Sequence, residues 1–290
     1  MCARRRSSRS GPNPISLVLL LAVAVVAIVL WQCAPRPPLA PPATAPASIR
    51  IATWNLKQFS DTRKADLAMI ARIIQESSFD LVAIQEVKGE GDEIDRLLNT
   101  LGAPWRSTSI SPKTGGNYER FTFLYRSDRL GETARPALVN LPDFARKPYQ
   151  GHFKSGAFEF SVLSVHLFYT DVAQRRREAE ALARFARDMA ANAPDKRLII
   201  VGDFNEEKRR PNFGLFTAGG WRPLIADATN LSSRETYDNI LIDPARTAEW
   251  TGRAGVVPFD ELHFANDDKQ AVRSVSDHRP AWADFSTAGR

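Results

Sequence analysis

Apolar residues first appear as one unbroken run, then as short runs alternating with helical periodicity. Between Arg9 and Arg36 there is no charged residue, and Ile15–Trp31 is almost wholly aliphatic. That length lies at the lower edge of the roughly 17–25 residues that span a bilayer and above the roughly 7–15 of a signal-peptide core. From Ile49 onward the pattern changes. Ile49–Trp54, Leu81–Ile84, Phe121–Tyr125, Phe158–His166 and Leu198–Val201 are compact apolar runs and predict strands. Leu67, Ile70, Ile73 and Ile74 recur at helical spacing within Asp66–Gln75, and Ile94, Leu97, Leu98 and Leu101 mark a second helix. Val172–Ala191 predicts a long helix, stopped near Pro194. The last third reads as short strands and loops, ending in a strand at Trp282–Phe285. Without an internal repeat or a second linker, strands alternating with helices predict one mixed α/β domain over residues 49–290.

The flanks of the first run say where that domain goes. Arg4, Arg5, Arg6 and Arg9 form a basic N-terminus (residues 1–14), which is expected to stay in the cytoplasm and send the C-terminal body across the membrane. Residues 15–31 then serve as an uncleaved transmembrane anchor or a cleaved signal. Lipidation at Cys33 is a third option, although Gln32 stands where a small residue is expected. Pro35–Pro46 holds six prolines among alanines, so residues 32–48 form a semi-rigid spacer. The expected location is membrane-anchored with the body outside the cytoplasm, or secreted if the segment is removed.

Composition changes this picture in two ways. The formal charge of +6 is concentrated at the N-terminus, where residues 1–48 carry five arginines and no acid. Removing those five from 39 basic residues leaves 34 against 33 acidic ones, so the body is nearly neutral and its attraction for polyanions rests on local patches. Both cysteines, Cys2 and Cys33, precede the body, so its stability rests on its core rather than on disulfides.

Polar residues that carry chemistry stand at the ends of the apolar runs. Asn55 follows Ile51–Trp54, Glu86 follows Leu81–Gln85, His166 ends Val162–His166, and Asp203 and Asn205 follow Leu198–Val201. Asp238 opens another run, and Asp277 and His278 precede the last strand. Each alone reads as a turn or packing residue; together, at strand ends, they gather at one sheet edge. Carboxylates supply hard oxygen ligands for Mg²⁺, with Mn²⁺ or Ca²⁺ as alternatives. Two histidines suit a base and an acid near neutral pH, and Asp238 is placed to orient one of them. Metal-assisted phosphodiester hydrolysis fits this set.

The segments Thr53–Asn55, Ile84–Val87, Gly202–Asn205, Tyr237–Ile240 and Ser276–His278 resemble the signature of the endonuclease/exonuclease/phosphatase superfamily. Asn117–Arg126, Phe144–Pro148 and Val257–Asp260 are similar to stretches of its deoxyribonuclease I branch. The resemblance implies an α/β sandwich of two packed mixed sheets flanked by helices. It also implies pairing of Glu119 with His166 and of Asp238 with His278. Glu86 would bind the metal with Asp277 and Asn55 near it, and Asp203 and Asn205 would hold water or phosphate. Arg146 would touch a phosphate, and Tyr118 and Lys88 would reach a DNA groove. Lys88 stands where that branch has an arginine. The expected enzyme is a monomeric, metal-dependent endonuclease acting on extracytoplasmic DNA.

Two basic runs adjoin the site in sequence. Arg209 and Arg210, following Lys208, are candidate DNA contacts; Arg175–Arg177 reads as a solvated helix face beside Glu178 and Glu180. Alternatives are a lipid or inositol-phosphate phosphodiesterase of the same superfamily, an abasic-site repair enzyme, and an anchored binding module without turnover. No motif residue is missing, which counts against the last.

Overall fold

The computed structural model describes residues 47–192, 197–206 and 211–288. The segment 15–31, the proline spacer, Cys33, Arg209 and Arg210 lie outside them. Among the described residues no helix is long and apolar enough to cross a membrane.

In chain order the elements are β1 (Ser48–Phe59), α1 (Leu67–Glu76), β2 (Leu81–Val87), α2 (Asp92–Leu101), β3 (Trp105–Ser107), β4 (Arg120–Arg126), β5 (Gly131–Leu138), β6 (Tyr149–Ser155), β7 (Phe158–His166), α3 (Val172–Asn192), β8 (Arg197–Asp203), α4 (Pro211–Ala218), β9 (Arg222–Pro223), β10 (Asp238–Ile242), β11 (Trp250–Val256), α5 (Phe259–Phe264), α6 (Asp268–Ser274) and β12 (Ala281–Ser286). They form two six-stranded mixed sheets, ordered β11-β12-β1-β2-β4-β3 and β5-β6-β7-β8-β10-β9. The expected α/β sandwich is the observed fold.

Strand periodicity explains the layering, because successive side chains point to opposite faces. In β1, Ile49 and Ile51 enter the layer between the sheets, together with Phe123, Phe153, Val201 and Ile240. Trp54 and Leu56 point the other way and pack with Ile70, Ile74 and Leu97 of α1 and α2. The second sheet repeats the arrangement. Leu198 and Ile200 pack outward against Leu182 and Ala186 of α3, while Ile199 and Val201 face the first sheet. Both sheets are thus buried on two faces, which is why their central strands read as unbroken apolar runs.

Strands β3, β5 and β6 do not follow from the pattern, whereas β9 and β11 are among the short strands expected in the last third. Strand β5 is a sheet edge, mostly exposed, and carries Pro136, a residue tolerated at an edge. Its composition is set by solvent rather than by a core, so the apolar signal is lost.

Candidate active site

The topology brings the polar strand ends together. Strands β1 and β2 run parallel, as do β7 and β8, so Asn55, Glu86, His166 and Asp203 arrive at C-terminal strand ends. His166 and Asp203 are register partners. Strand β10 runs antiparallel to β8 and sets Asp238 opposite Asp203. Strand β12 runs antiparallel to β1, so the loop before it returns to the end of β1. There Trp54 Nε1 donates to the His278 carbonyl at 2.7 Å, and Ser276 Oγ donates to the Asn55 carbonyl at 2.7 Å.

Two backbone features set the aim. Gly202 has φ +135°, and a Cβ there would lie 2.0 Å from the Val165 carbonyl oxygen, so only glycine lets β8 approach β7 this closely. Glu86 has φ +60°, and the register of β2 on β4 shifts between Ile84 and Val87. Both of those residues face α1 and α2, although they are three apart. One extra residue has been inserted, and this bulge turns Glu86 into the cleft.

Each histidine has a carboxylate behind it. His166 Nδ1 lies 2.8 Å from Glu119 Oε2, and His278 Nδ1 lies 2.7 Å from Asp238 Oδ2. Donation from Nδ1 fixes the tautomer and leaves Nε2 as the atom that exchanges a proton. The two Nε2 atoms converge on one oxygen, Asp203 Oδ2, at 3.5 Å from His166 and 3.8 Å from His278. Asn55 Nδ2 donates to that same oxygen at 3.0 Å and to Glu86 Oε1 at 2.8 Å. Glu86, Glu119, His166, Asp203 and His278 line one cleft of about 450 Å³, while Asn55 and Asp238 are buried behind its wall.

Burial alone would neutralise these groups; their neighbours reverse the effect. Burial raises the Glu119 pKa, but the charge and hydrogen bond of His166, with Arg146 and Lys88, hold it at about 2. Burial lowers the His278 pKa, yet Asp238 and Asp203 push it up to about 10. His166 is likewise raised, against burial and Arg146, by Glu119 and Asp203. Asp203 is desolvated, but facing two imidazoles keeps its pKa low. The depressed Glu119 contributes stability that is complete above the ordinary value of 4.5 and lost as pH falls through about 2. That contribution is about 3 kcal/mol. Acid titration of unfolding free energy in the metal-free Glu119→Gln protein should therefore be flatter between pH 4.5 and 2 than in wild type.

The donor chemistry of the cleft fits a hard divalent cation. Glu86 takes its hydrogen bonds from uncharged donors, Asn55 Nδ2 and the Gln58 amide at 2.8 Å each, with His166 Nε2 4.0 Å from its Oε1. Asp277 also faces the cleft and engages Lys57 Nζ through Oδ2 at 3.0 Å. Glu119 and Asp238 are committed to their histidines and Asp277 to Lys57, which leaves Glu86, grouped with Glu119 and His166, as the carboxylate free to face a cation. Asn55, expected near the metal, does lie against Glu86. Its amide nitrogen bridges two carboxylates and its Oδ1 accepts from the Lys57 amide at 2.9 Å, so it spaces Glu86 from Asp203.

Arg146, Asn205 and Lys88, expected at the substrate or at water, all line the cleft, each with contacts to the protein. Arg146 is 8 % exposed; its guanidinium donates to the His166 carbonyl at 2.9 Å and the Leu167 carbonyl at 2.6 Å and lies 3.7 Å from Glu119. It braces the end of β7 at the cleft wall. Asn205 donates through Nδ2 to the Leu167 carbonyl and through its amide to Asp203 Oδ1, both at 2.8 Å, so it positions Asp203. Lys88 lines the cleft and is tied to the Asn117 carbonyl at 2.8 Å. Tyr118 is exposed and does not line the cleft, whereas the exposed Tyr169 does. Of the Arg175–Arg177 run, Arg175 is buried and meets Glu206 at 3.2 Å, while Arg176 and Arg177 lie on the expected solvated helix face, beside Glu180 and Gln174.

Sequence reasoning missed Asn230. Its Oδ1 accepts from the amides of Ser232 and Ser233 and from Ser233 Oγ, so its orientation is fixed. Nδ2 therefore faces His278 Nε2, at 3.2 Å. The one sequence signal is an asparagine followed by serines, which reads as an ordinary turn.

Comparison with known proteins gives the same picture. The chain is 33% identical over 269 residues to a deoxyribonuclease of Thioalkalivibrio sp. (strain K90mix), covering 84% of this chain and 73% of that protein. Deoxyribonuclease-1 of Oryctolagus cuniculus is 23% identical over 267 residues, covering 80% and 91%. Among solved structures, sphingomyelinase C of Streptomyces griseocarneus superposes with a TM-score of 0.61 at 16% identity, covering 82% and 99%, a likeness of fold. Residues 52–278 match the Endonuclease/Exonuclease/phosphatase family, from the middle of β1 through the second histidine, and the chain belongs to that family.

Proposed function

We propose that this hydrolase is an endonuclease that cuts the phosphodiester backbone of DNA, with Mg²⁺, or Mn²⁺ or Ca²⁺ in its place, held by Glu86. The observation that carries the reading is the convergence of two carboxylate-backed imidazoles on Asp203 Oδ2, at 3.5 and 3.8 Å. One imidazole takes a proton from water through Nε2; the other returns a proton to the leaving 3′-oxygen. Each Nδ1–H stays on its carboxylate throughout, so neither ring rotates during the transfer. Asp203, kept ionised by the two rings, holds the attacking water or an imidazolium between them. A bound divalent cation supplies charge neutralisation at the phosphate oxygens.

DNA is favoured among phosphodiesters because the relative at 33% identity is a deoxyribonuclease. The body would act outside the cytoplasm as a monomer, tethered or exported by the apolar segment 15–31. Turnover of supercoiled plasmid, RNA and sphingomyelin by the full chain, in one buffer with Mg²⁺, tests the substrate. Conversion of plasmid to open circles should dominate. A rate on sphingomyelin exceeding that on plasmid would overturn the assignment.

A further inference from the structure

Beside the catalytic cleft lies a second, larger concavity of about 770 Å³. Five cations line it, namely Lys57, Arg63, Arg234, Lys269 and Arg273, against the single carboxylate of Asp268. This concentration is unusual for a body whose net charge is nearly zero. The five are not equivalent. Arg234 is neutralised by Asp268 at 2.6 Å, and Lys57 by Asp277 at 3.0 Å. Arg63 is fixed by the Leu56 carbonyl at 2.8 Å and the Val272 carbonyl at 3.0 Å and is partly offset by the nearby charges of Asp277 and Glu86. Lys269 and Arg273, four apart on α6, are exposed and have no carboxylate partner among the described residues. Two uncompensated cations, Lys269 and Arg273, therefore share one hollow with a third that is only partly offset, Arg63.

The hollow is continuous with the catalytic cleft. Ser232 lines both, and Lys57 forms the wall between them through its bond to Asp277. Ser232 lies on the turn that aims Asn230 at His278. A ligand extending from the His278 side of the cleft runs over Ser232 into the cationic hollow.

We propose that this hollow is a binding site for the phosphodiester chain flanking the cleaved bond, with Arg63, Lys269 and Arg273 contacting the phosphates next to the scissile one. The proposal rests on the nucleic-acid reading above. A strand carries one negative charge per about 3.4 Å of helix axis, so phosphates adjacent to the scissile one come within reach of these side chains. Fixed cations at that place would set the register of the strand without reading its bases. The nearly neutral body would then owe its affinity for a polyanion chiefly to this patch.

The test is a salt titration of duplex binding. Fluorescence anisotropy of a labelled 20-base-pair duplex is followed in EDTA with the full chain, comparing wild type with Lys269→Gln/Arg273→Gln. A control, Arg135→Gln/Lys154→Gln, removes the same formal charge from exposed positions of β5 and β6, where Lys154 pairs with Glu159 at the far end of β7 from His166. Losing two phosphate contacts should lower the slope of log affinity against log salt by about 2 and weaken binding about ten-fold or more near 0.1 M salt. The control should keep the wild-type slope. Hydrolysis of bis(p-nitrophenyl) phosphate, which has no flanking phosphates, should be unchanged in both variants. Equal slopes for wild type and Lys269→Gln/Arg273→Gln would overturn the proposal, as would loss of binding to anionic phosphatidylserine vesicles without loss of duplex binding. Wild type that cuts the small ester but no nucleic acid would sink the nuclease reading, and the anisotropy comparison would still decide the hollow.

Discussion

Replacing His278 with alanine is expected to lower kcat for phosphodiester cleavage by about 10²–10⁴-fold, the usual worth of a general acid or base. The fold should survive. The ring contributes one hydrogen bond to Asp238 and one contact to Asn230, while the His278 backbone contact that ties this loop to Trp54 remains. Asp238, wholly buried, loses its imidazole partner, but burial already raises its pKa, so it accepts a proton rather than remaining a bare charge. His166→Ala should show a loss of the same order, because its Nε2 faces the same oxygen. The double variant should be little worse than either single one, since a proton taken up and a proton given back serve one turnover. Single-turnover kinetics beside a thermal melt would check this. A variant that melts normally and retains more than a tenth of the rate would remove His278 from the chemistry.

Removing the divalent cation should abolish activity, and Glu86→Gln should mimic much of that loss. The expected deficit is several kcal/mol of transition-state stabilisation, or about 10³-fold in rate. Glutamine retains the length of the side chain but surrenders its charge. Its amide nitrogen also confronts the Asn55 and Gln58 donors that hold the carboxylate. Activity titrated with MgCl₂ should therefore require far more metal in the variant, whereas wild type treated with EDTA should recover fully when Mg²⁺ is returned. Wild-type turnover that persists in EDTA would exclude a cation from the reaction, and a Glu86→Gln protein with an unaltered Mg²⁺ requirement would place the cation elsewhere.

Much of this site was legible because buried strands announce themselves. Leu198–Val201 has one reading, and the residue that ends it, Asp203, is where a loop must begin. Sequence order and apolar spacing therefore located Asn55, His166 and Asp238 as well. Their partners were harder. Glu119 lies forty-seven residues from His166, and only the resemblance joined them. The bulge at Glu86 was invisible because periodicity registers an inserted residue only when the burial of both neighbours is known. Arg146 was placed at the cleft by resemblance, but its two bonds to the carbonyls at the end of β7 could not be read from sequence. Asn230 was hidden for the opposite reason, since its turn is common and its meeting with His278 depends wholly on long-range folding.

His166 belongs to the second sheet, and its carboxylate, Glu119, precedes a strand of the first; His278 precedes a strand of the first sheet, and its carboxylate, Asp238, lies in the second. Each histidine–carboxylate pair is thus stapled across the seam between the two halves of the molecule, in opposite senses. Neither half alone holds a complete pair. Proton transfer is consequently contingent on how firmly the halves are clamped, and the aromatic filling around Phe123, Phe153 and Phe160 acts as the clamp from well outside the cleft.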